Sequence, residues 1–516
     1  MIFYSFDRGQ RGDFSEMNYP TILTRILGLT AVVAAAGAFS LRAEVRLPSV
    51  LAEHMVLQRD VPVHLWGVAG AGELVSATFR GALGKTQADK LGRWELSLPA
   101  GAAGGPFVLE IQGSNLIHFS DVLVGDVWLA SGQSNMEFET RKAANAQAEL
   151  KSTDRPRMRL FHVAKASADY PMEDLVAETW AAATAESVAN FSAVEYFFGR
   201  EIQDDQKVPI GLIEADWGGS PAEAWTSLRG LSSDAELMPA FAAHAEMIER
   251  EAAKRSSDIW ERQERATAKA AGKPEPDFPW HPELRSWEPG GLFNAMIAPL
   301  TGFPVRGFLW YQGESNTGKE RAFYYQQLME TLIRDWRSRW AEGELPFLFV
   351  QLANWGPGEA PGWPLVRDAQ RRTLELRNTG MAVAIDIGDA TDIHPTNKQD
   401  VGKRLARAAR AIAYGEEIEF SGPLFRSAVR QGDTLRVMFD HAESGLVAKG
   451  DGLKGFEVAG EDGKFEVAEA RIEGSAVILT SAKVAAPRSV RYGWAGNPEC
   501  TLYNKAGLPA ATFTTN

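Results

Sequence analysis

From Asp121 onward, near-continuous apolar segments alternate with longer helical stretches, and that alternation leaves few folds open. The segments 121–131 (DVLVGDVWLAS), 208–217 (VPIGLIEADW), 305–313 (VRGFLWYQG), 347–355 (FLFVQLANW) and 381–389 (MAVAIDIGD) place apolar residues at successive positions. A strand reads this way when both of its faces are covered, as in a parallel sheet. Between them, AVEYFFGREIQ, RAFYYQQLMETLIRDWRSRW, PLVRDAQRRTLEL and NKQDVGKRLARAARAIA read as helices. Such alternation predicts an α/β domain in three layers. Ligands in such sheets bind beyond the C-terminal ends of the strands.

The flanks follow a different rule. Over 44–120, short segments such as VPVHLWGV, LVSATFR, RWELSLP and PFVLEIQG are separated by Gly, Pro and Asp/Asn, which predicts a β-sandwich region. Over 416–516, TLRVMFD, FEVAEARI, AVILTS and SVRYGW predict a second β domain. The α/β domain then spans 121–415, with a helical insertion over about 230–285. That insertion is rich in Ala, Glu, Lys and Arg from Ser232 to Ala271, and Pro274, Pro276, Pro279 and Pro282 stiffen its return. It reads either as a wall over the site or as a solvated excursion. Several domains are expected in any case, because 516 residues exceed one ordinary core.

The first 43 residues read as an export leader. Arg25 precedes an apolar run from Ile26 to Leu41, and Ala43 ends a plausible cleavage site. Met17 is an alternative start, since Met17 to Arg25 makes a conventional short basic leader. The expected location is periplasmic or secreted. The run is short for a bilayer span, which needs roughly 20 residues, so no span is expected in the mature protein. A single anchor is the other reading.

A formal net charge of −13 argues against nucleic-acid binding, which needs clustered Lys and Arg. One cysteine, Cys500, rules out an intrachain disulfide and reads as a small packed residue. The eight histidines form no metal-binding spacing, so neither metal nor cofactor is expected.

Four polar loops follow the buried strands. The first holds Gln133, Ser134, Asn135 and Met136. A helix beginning there would aim its dipole and free N–H groups at a developing oxyanion. Met136 stands where the Gly-x-Ser-x-Gly elbow has its second glycine, so the α/β-hydrolase elbow is excluded. A serine at such a junction also serves simply as a helix N-cap. The second loop is Asp392-Ile393-His394-Pro395. A serine hydroxyl needs a base, and the base needs a carboxylate to fix its tautomer. Asp392 shares a side with His394 in an extended turn, while Asp386 and Asp389 end on the same edge. The remaining loops are Asp216 to Pro221, with its paired glycines, and Trp310 to Asn316, with its amides. Trp217, Trp225, Trp310, Trp355 and Trp363 offer faces for sugar stacking, although most of the 15 tryptophans belong to the core. Arg367 meets a substrate carboxylate or, the reading preferred here, supports a helix start.

GDVWLASGQSNME, DWGGSPAEAW, WYQGESN and DIHPTNKQDVGKRLA together resemble the sialate O-acetylesterase family of the SGNH (GDSL-like) hydrolases. The likeness extends through LPSVLAEHMVLQRDVPVHLWG to YGWAGNPECTLYNKAGLPAATF. It implies a three-layer flavodoxin-like core and a serine esterase acting on O-acetylated carbohydrate. It implies Ser134 as nucleophile, His394 as base and Asp392 as its acid. Backbone N–H groups of Ser134 and Gly219 would line the oxyanion hole. In this sequence Ser315 stands where the wider group has its oxyanion Asn, and Gln312 is the expected substitute donor. Thr391 stands where that group has its Asp, which leaves Asp392 or Asp389 as the acid. Gln133, Asn135, Trp217, Glu314 and Asn316 are the expected substrate contacts. Sialic acid and acetylated plant polysaccharide both remain open as substrates. An esterase for non-carbohydrate acyl esters and a non-catalytic carbohydrate-binding relative are the competing readings.

Overall fold

The computed structural model describes residues 44–516 apart from 178, 253–254, 277, 279–280 and 357–359. The expected leader over 1–43, and Pro279 of the insertion, lie outside the described residues.

One long strand organises the molecule. β1 (Leu116–Gly132) changes character along its length: Leu116–Asp121 alternate exposed with half-buried, whereas Val122–Gly132 are all buried. The first half pairs antiparallel with Gly104–Gln112 of the N-terminal region. The second half lies parallel between β4 (Ile210–Asp216) and β5 (Gly307–Tyr311). The shift from alternating to continuous burial marks where a one-sided sheet becomes a two-sided one.

With β2 (Asp154–His162), β3 (Ala181–Thr184), β6 (Phe347–Gln351) and β7 (Thr379–Val383), the order across this part of the sheet is β7-β6-β5-β1-β4-β2-β3. Only β3 runs antiparallel to its neighbour. The longer helices among the described residues are α1 (Ala193–Gln206), α2 (Met238–Ala252) and α3 (Arg255–Ala270) of the insertion, then α4 (Lys319–Trp340), α5 (Gly362–Arg372) and α6 (Lys398–Ile412).

Helices cover both faces. Trp128 of β1 meets Phe198 of α1 edge-on at 4.9 Å. Phe308 of β5 is aligned with Leu129, the next residue of β1, and therefore points to the opposite face. There it meets Trp336 and Trp340 of α4 at 5.4 and 4.9 Å. α6 packs on α1, and α5 on α4.

The C-terminal region forms two four-stranded sheets around a core of its own that includes Val437, Phe456, Val477, Val490 and Phe513. FEVAEARI is not one strand. Phe465–Val467 joins one sheet and Glu469–Glu473 the other, with the chain crossing at buried Ala468. Arg367 fixes this region to the α/β core. It is fully buried and donates to the carbonyls of Leu352, Ala353, Ala495 and Gly496. Burial pushes its guanidinium down to about 9. Its role is structural: a fully buried guanidinium that makes four bonds to backbone carbonyls is out of reach of a substrate carboxylate.

Candidate active site

The chain leaves β1 through Gly132, with φ at +142°, and turns at once. Gln133 O accepts from Met136 N and Glu137 N, closing a single turn. No α-helix starts here, contrary to the expectation; the next helical element is a 3₁₀ turn at Thr140–Lys142. Ser134 therefore sits at no helix N-terminus, and the groups beside it that could face a developing charge are individual N–H groups. Ser134 N–H and Gly219 N–H donate to no other group among the described residues. Gly219, with φ at +77°, follows β4 in a loop held from two sides. Gly218 N donates to Glu137 Oε2 at 2.5 Å, and Ser315 Oγ donates to Gly219 O at 2.9 Å. Lys165 pairs with the other Glu137 oxygen at 2.6 Å. Below this loop, burial pushes the Asp216 carboxyl well up, helped by neighbouring Glu214 and Glu137.

His394 arrives from the loop after β7. Its Nε2 lies 2.8 Å from Ser134 Oγ. Asp392 Oδ1 accepts the backbone N–H of His394 at 2.8 Å and sits 3.7 Å from Nδ1. The second distance is too long for a hydrogen bond, and the Asp392 side chain is 63% exposed. The competing acids are engaged elsewhere. Asp389 accepts from Thr391 and from Asp392 N within its own turn, and Asp386 is paired with Arg404 and bonded by Tyr503. Burial lowers the His394 imidazole, and the Lys398 charge lowers it further, against Asp392 and Glu137. That favours the neutral form of the ring, the form able to accept a proton.

The amides behave differently from expectation. Gln312 is fully buried, and its Nε2 donates to Gln133 Oε1, Ser220 O and Asn316 Oδ1. Its donors are spent inside the protein, so it ties three loops together and offers nothing to an oxyanion. Gln133 Oε1 also accepts from Gly313 N and Ser315 N. Asn316 bridges Ala222 N and Glu223. Asn135 bonds Glu314, Ile393 O and Lys398. These side chains build the site from behind. Among the tryptophans, Trp225, Trp310 and Trp363 are core, while Trp355, half-buried, leans on Trp363 at 5.0 Å. Trp217, 9% exposed, remains beside the paired glycines.

A family model described as carbohydrate esterase, sialic acid-specific acetylesterase, matches residues 124–260 and 282–411. Sialate O-acetylesterase of Rattus norvegicus is 31% identical over 522 aligned positions, covering 91% of this chain and 94% of its own length. The Homo sapiens protein of that name is 33% identical over 420 positions, 73% of each chain. The chain belongs to the sialate O-acetylesterase family. It is accordingly a carbohydrate esterase that removes O-acetyl groups. A solved carbohydrate acetylesterase from Xanthomonas citri is 39% identical, with a TM-score of 0.79 over 92% of this chain and 99% of its own.

In this sialate O-acetylesterase relative, Lys398, Glu137 and Ser315 shape the site without having been assigned a role from the sequence. Lys398 carried a signal: a cation at the first position of a helix opposes the dipole. Burial pushes the Cys500 thiol up to about 12, which disfavours the nucleophilic thiolate. Among the described residues no helix is long and apolar enough to cross a membrane.

Proposed function

We propose that this chain is an exported serine esterase with an SGNH-type, three-layer flavodoxin-like core, releasing acetate from neutral O-acetylated saccharides through an acetyl-Ser134 intermediate. The observation that carries the reading is the 2.8 Å contact between Ser134 Oγ and His394 Nε2 at the end of the central strand. The strand order supports the fold. Setting aside the edge pair β2–β3, the sheet runs β7-β6-β5-β1-β4, which is the 2-1-3-4-5 order of flavodoxin-like sheets. Ser134 then lies at the switch point, where successive strands add on opposite sides of β1.

His394 takes the Ser134 proton as Oγ attacks the acetyl carbonyl. The N–H groups of Ser134 and Gly219 donate hydrogen bonds to the resulting oxyanion. The sugar hydroxyl leaves with the proton from His394, and water, activated by the same imidazole, releases acetate.

Asp392 supports His394 from an exposed position. Asp392→Asn is therefore expected to lose far less than the about 10⁴-fold of a buried triad aspartate. The acidic limb of kcat/KM should move to lower pH, because Asp392 favours the protonated ring. Asp389→Asn should leave kcat intact. A larger loss in Asp389→Asn than in Asp392→Asn would reassign the acid.

The neutral-substrate reading rests on the cations near the pair. Arg367 and Lys398 are enclosed, Lys165 is paired with Glu137, and Lys142 with Glu139. A sugar carboxylate would have to break one of these pairs. Acetate release from acetylated xylan or xyloglucan oligosaccharides should exceed that from O-acetylated sialic acid in kcat/KM. The reverse ranking sinks the substrate assignment and leaves the mechanism standing. Export rests on the leader over 1–43, and N-terminal sequencing of protein recovered outside the cytoplasm tests it.

A further inference from the structure

Lys398 opens α6 and is fully buried four residues after His394. Burial strips its ammonium of water, and the helix dipole opposes it there, so its position calls for a compensating partner. Its Nζ donates to Asn135 Oδ1 and lies 4.8 Å from the Phe138 ring centroid and 5.3 Å from that of Tyr311. The other end of the Asn135 amide donates to Glu314 Oε1 at 2.5 Å and to Ile393 O at 3.0 Å. Glu314 is 8% exposed, and its second oxygen is buried without a partner. One amide is thus gripped at its oxygen by a buried cation and at its nitrogen by a buried carboxylate. Asn135 directly follows Ser134, and Ile393 directly precedes His394.

We propose that Lys398 is a positioning residue: with Glu314 it clamps the Asn135 amide, and the clamp holds the Ser134 turn in register with the His394 loop. The inference rests on the Ser134–His394 reading above. The Asn135 side chain is the bond that joins the two loops from behind, and its orientation depends on which end meets the cation. Without the ammonium, Oδ1 has no reason to face Lys398, and Nδ2 has less reason to face Ile393 O. Small errors between nucleophile and base are costly, because a displacement of about 1 Å can lower a rate by about 100-fold.

The clamp also has an electrostatic signature. The charged groups acting on His394 are Lys398 from α6, Asp392 from its own loop, Glu137 from the Ser134 turn and Lys142 from the 3₁₀ turn. Lys398 and Lys142 oppose ring protonation; Asp392 and Glu137 favour it. Burial pushes the Lys398 ammonium down to about 7, with Glu314 and Asp392 resisting.

Lys398→Met keeps the length of the side chain and removes the donor and the charge. With a small acetyl ester, kcat is expected to fall about 10- to 100-fold at unchanged KM. The acidic limb of kcat/KM is expected to move to higher pH, because His394 has lost a neighbouring cation. A residue that only supports the fold would lower Tm and leave the limb in place. Asn135→Ala cuts the clamp at its middle and serves where Lys398→Met does not fold; its kcat should fall by a similar factor. Wild-type kcat with an unmoved limb in folded Lys398→Met, or wild-type kcat in folded Asn135→Ala, overturns the proposal. Ser134→Ala assayed alongside separates the two readings. If that variant keeps its turnover, the site assignment has failed; if it is dead while Lys398→Met is normal, only the clamp has.

Discussion

Ser134→Ala is expected to remove acetate release almost completely while the protein stays folded. The Ser134 hydroxyl meets His394 Nε2 at 2.8 Å, and the side chain is only half-buried. Losing one such partly exposed hydrogen bond costs roughly 1 kcal/mol of stability, too little to unfold a chain of this size. The chemical cost is far larger. Serine hydrolases elsewhere lose about 10⁶-fold in kcat without the nucleophile, and what remains comes from oxyanion donors and binding. Here the remaining donors would be the N–H groups of Ser134 and Gly219, which alanine leaves untouched. Adding His394→Ala to the same protein should therefore change little further, because the pair acts as a unit. Acetate release and thermal melting, measured on both single variants and the double, check the expectation. A folded Ser134→Ala protein with near-normal turnover would move the nucleophile elsewhere, and additive losses in the double variant would show two independent functions.

The buried strands were legible because covering both faces forces apolar residues at every position, as in Phe308-Leu309-Trp310. Ser134 and His394 were legible for a related reason: each follows such a strand, and the edge where parallel strands end is where ligands bind. The surroundings were harder. Gln312, Asn316 and Asn135 were read as groups facing a substrate, because an amide in a polar loop looks available. In the structure they are buried, and buried amides satisfy one another. No spacing announces that arrangement, since Asn135 reaches Glu314 across 179 positions and Lys398 across 263. The supposed helix at Ser134 failed locally. Gln133 N bonds back to Tyr311 O and Gln133 O closes one turn, after which Glu139 is already extended. FEVAEARI failed because β propensity sees a strand but not which of two sheets receives it.

Gly132→Ala is expected to have the largest effect on folding of any single-methyl change at the site. Gly132 ends the central strand, aligned with Asp216 of β4 on one side and Tyr311 of β5 on the other. Its φ of +142° is one that residues with a Cβ rarely adopt. A Cβ added there would stand 2.1 Å from Tyr311 O and 2.7 Å from Tyr311 C. Both are backbone atoms of a buried neighbouring strand, so no side-chain rotation relieves the clash. Relief requires separating β1 from β5 where the backbone turns toward Ser134. Backbone strain of this kind costs of order 1–3 kcal/mol before any overlap, and the overlap should bring the loss to about 4 kcal/mol or more. Denaturant melts of Gly132→Ala against wild type measure it. Gly219→Ala is a useful contrast: its φ is also positive, but it lies in a loop beyond β4, so its cost should fall on turnover more than on stability. Wild-type stability in Gly132→Ala would mean that the strand end is pliant. A nucleophile held on a pliant strand end would not keep a 2.8 Å contact with a base brought in from the loop after β7, so the same result would weaken the reading of the Ser134–His394 pair.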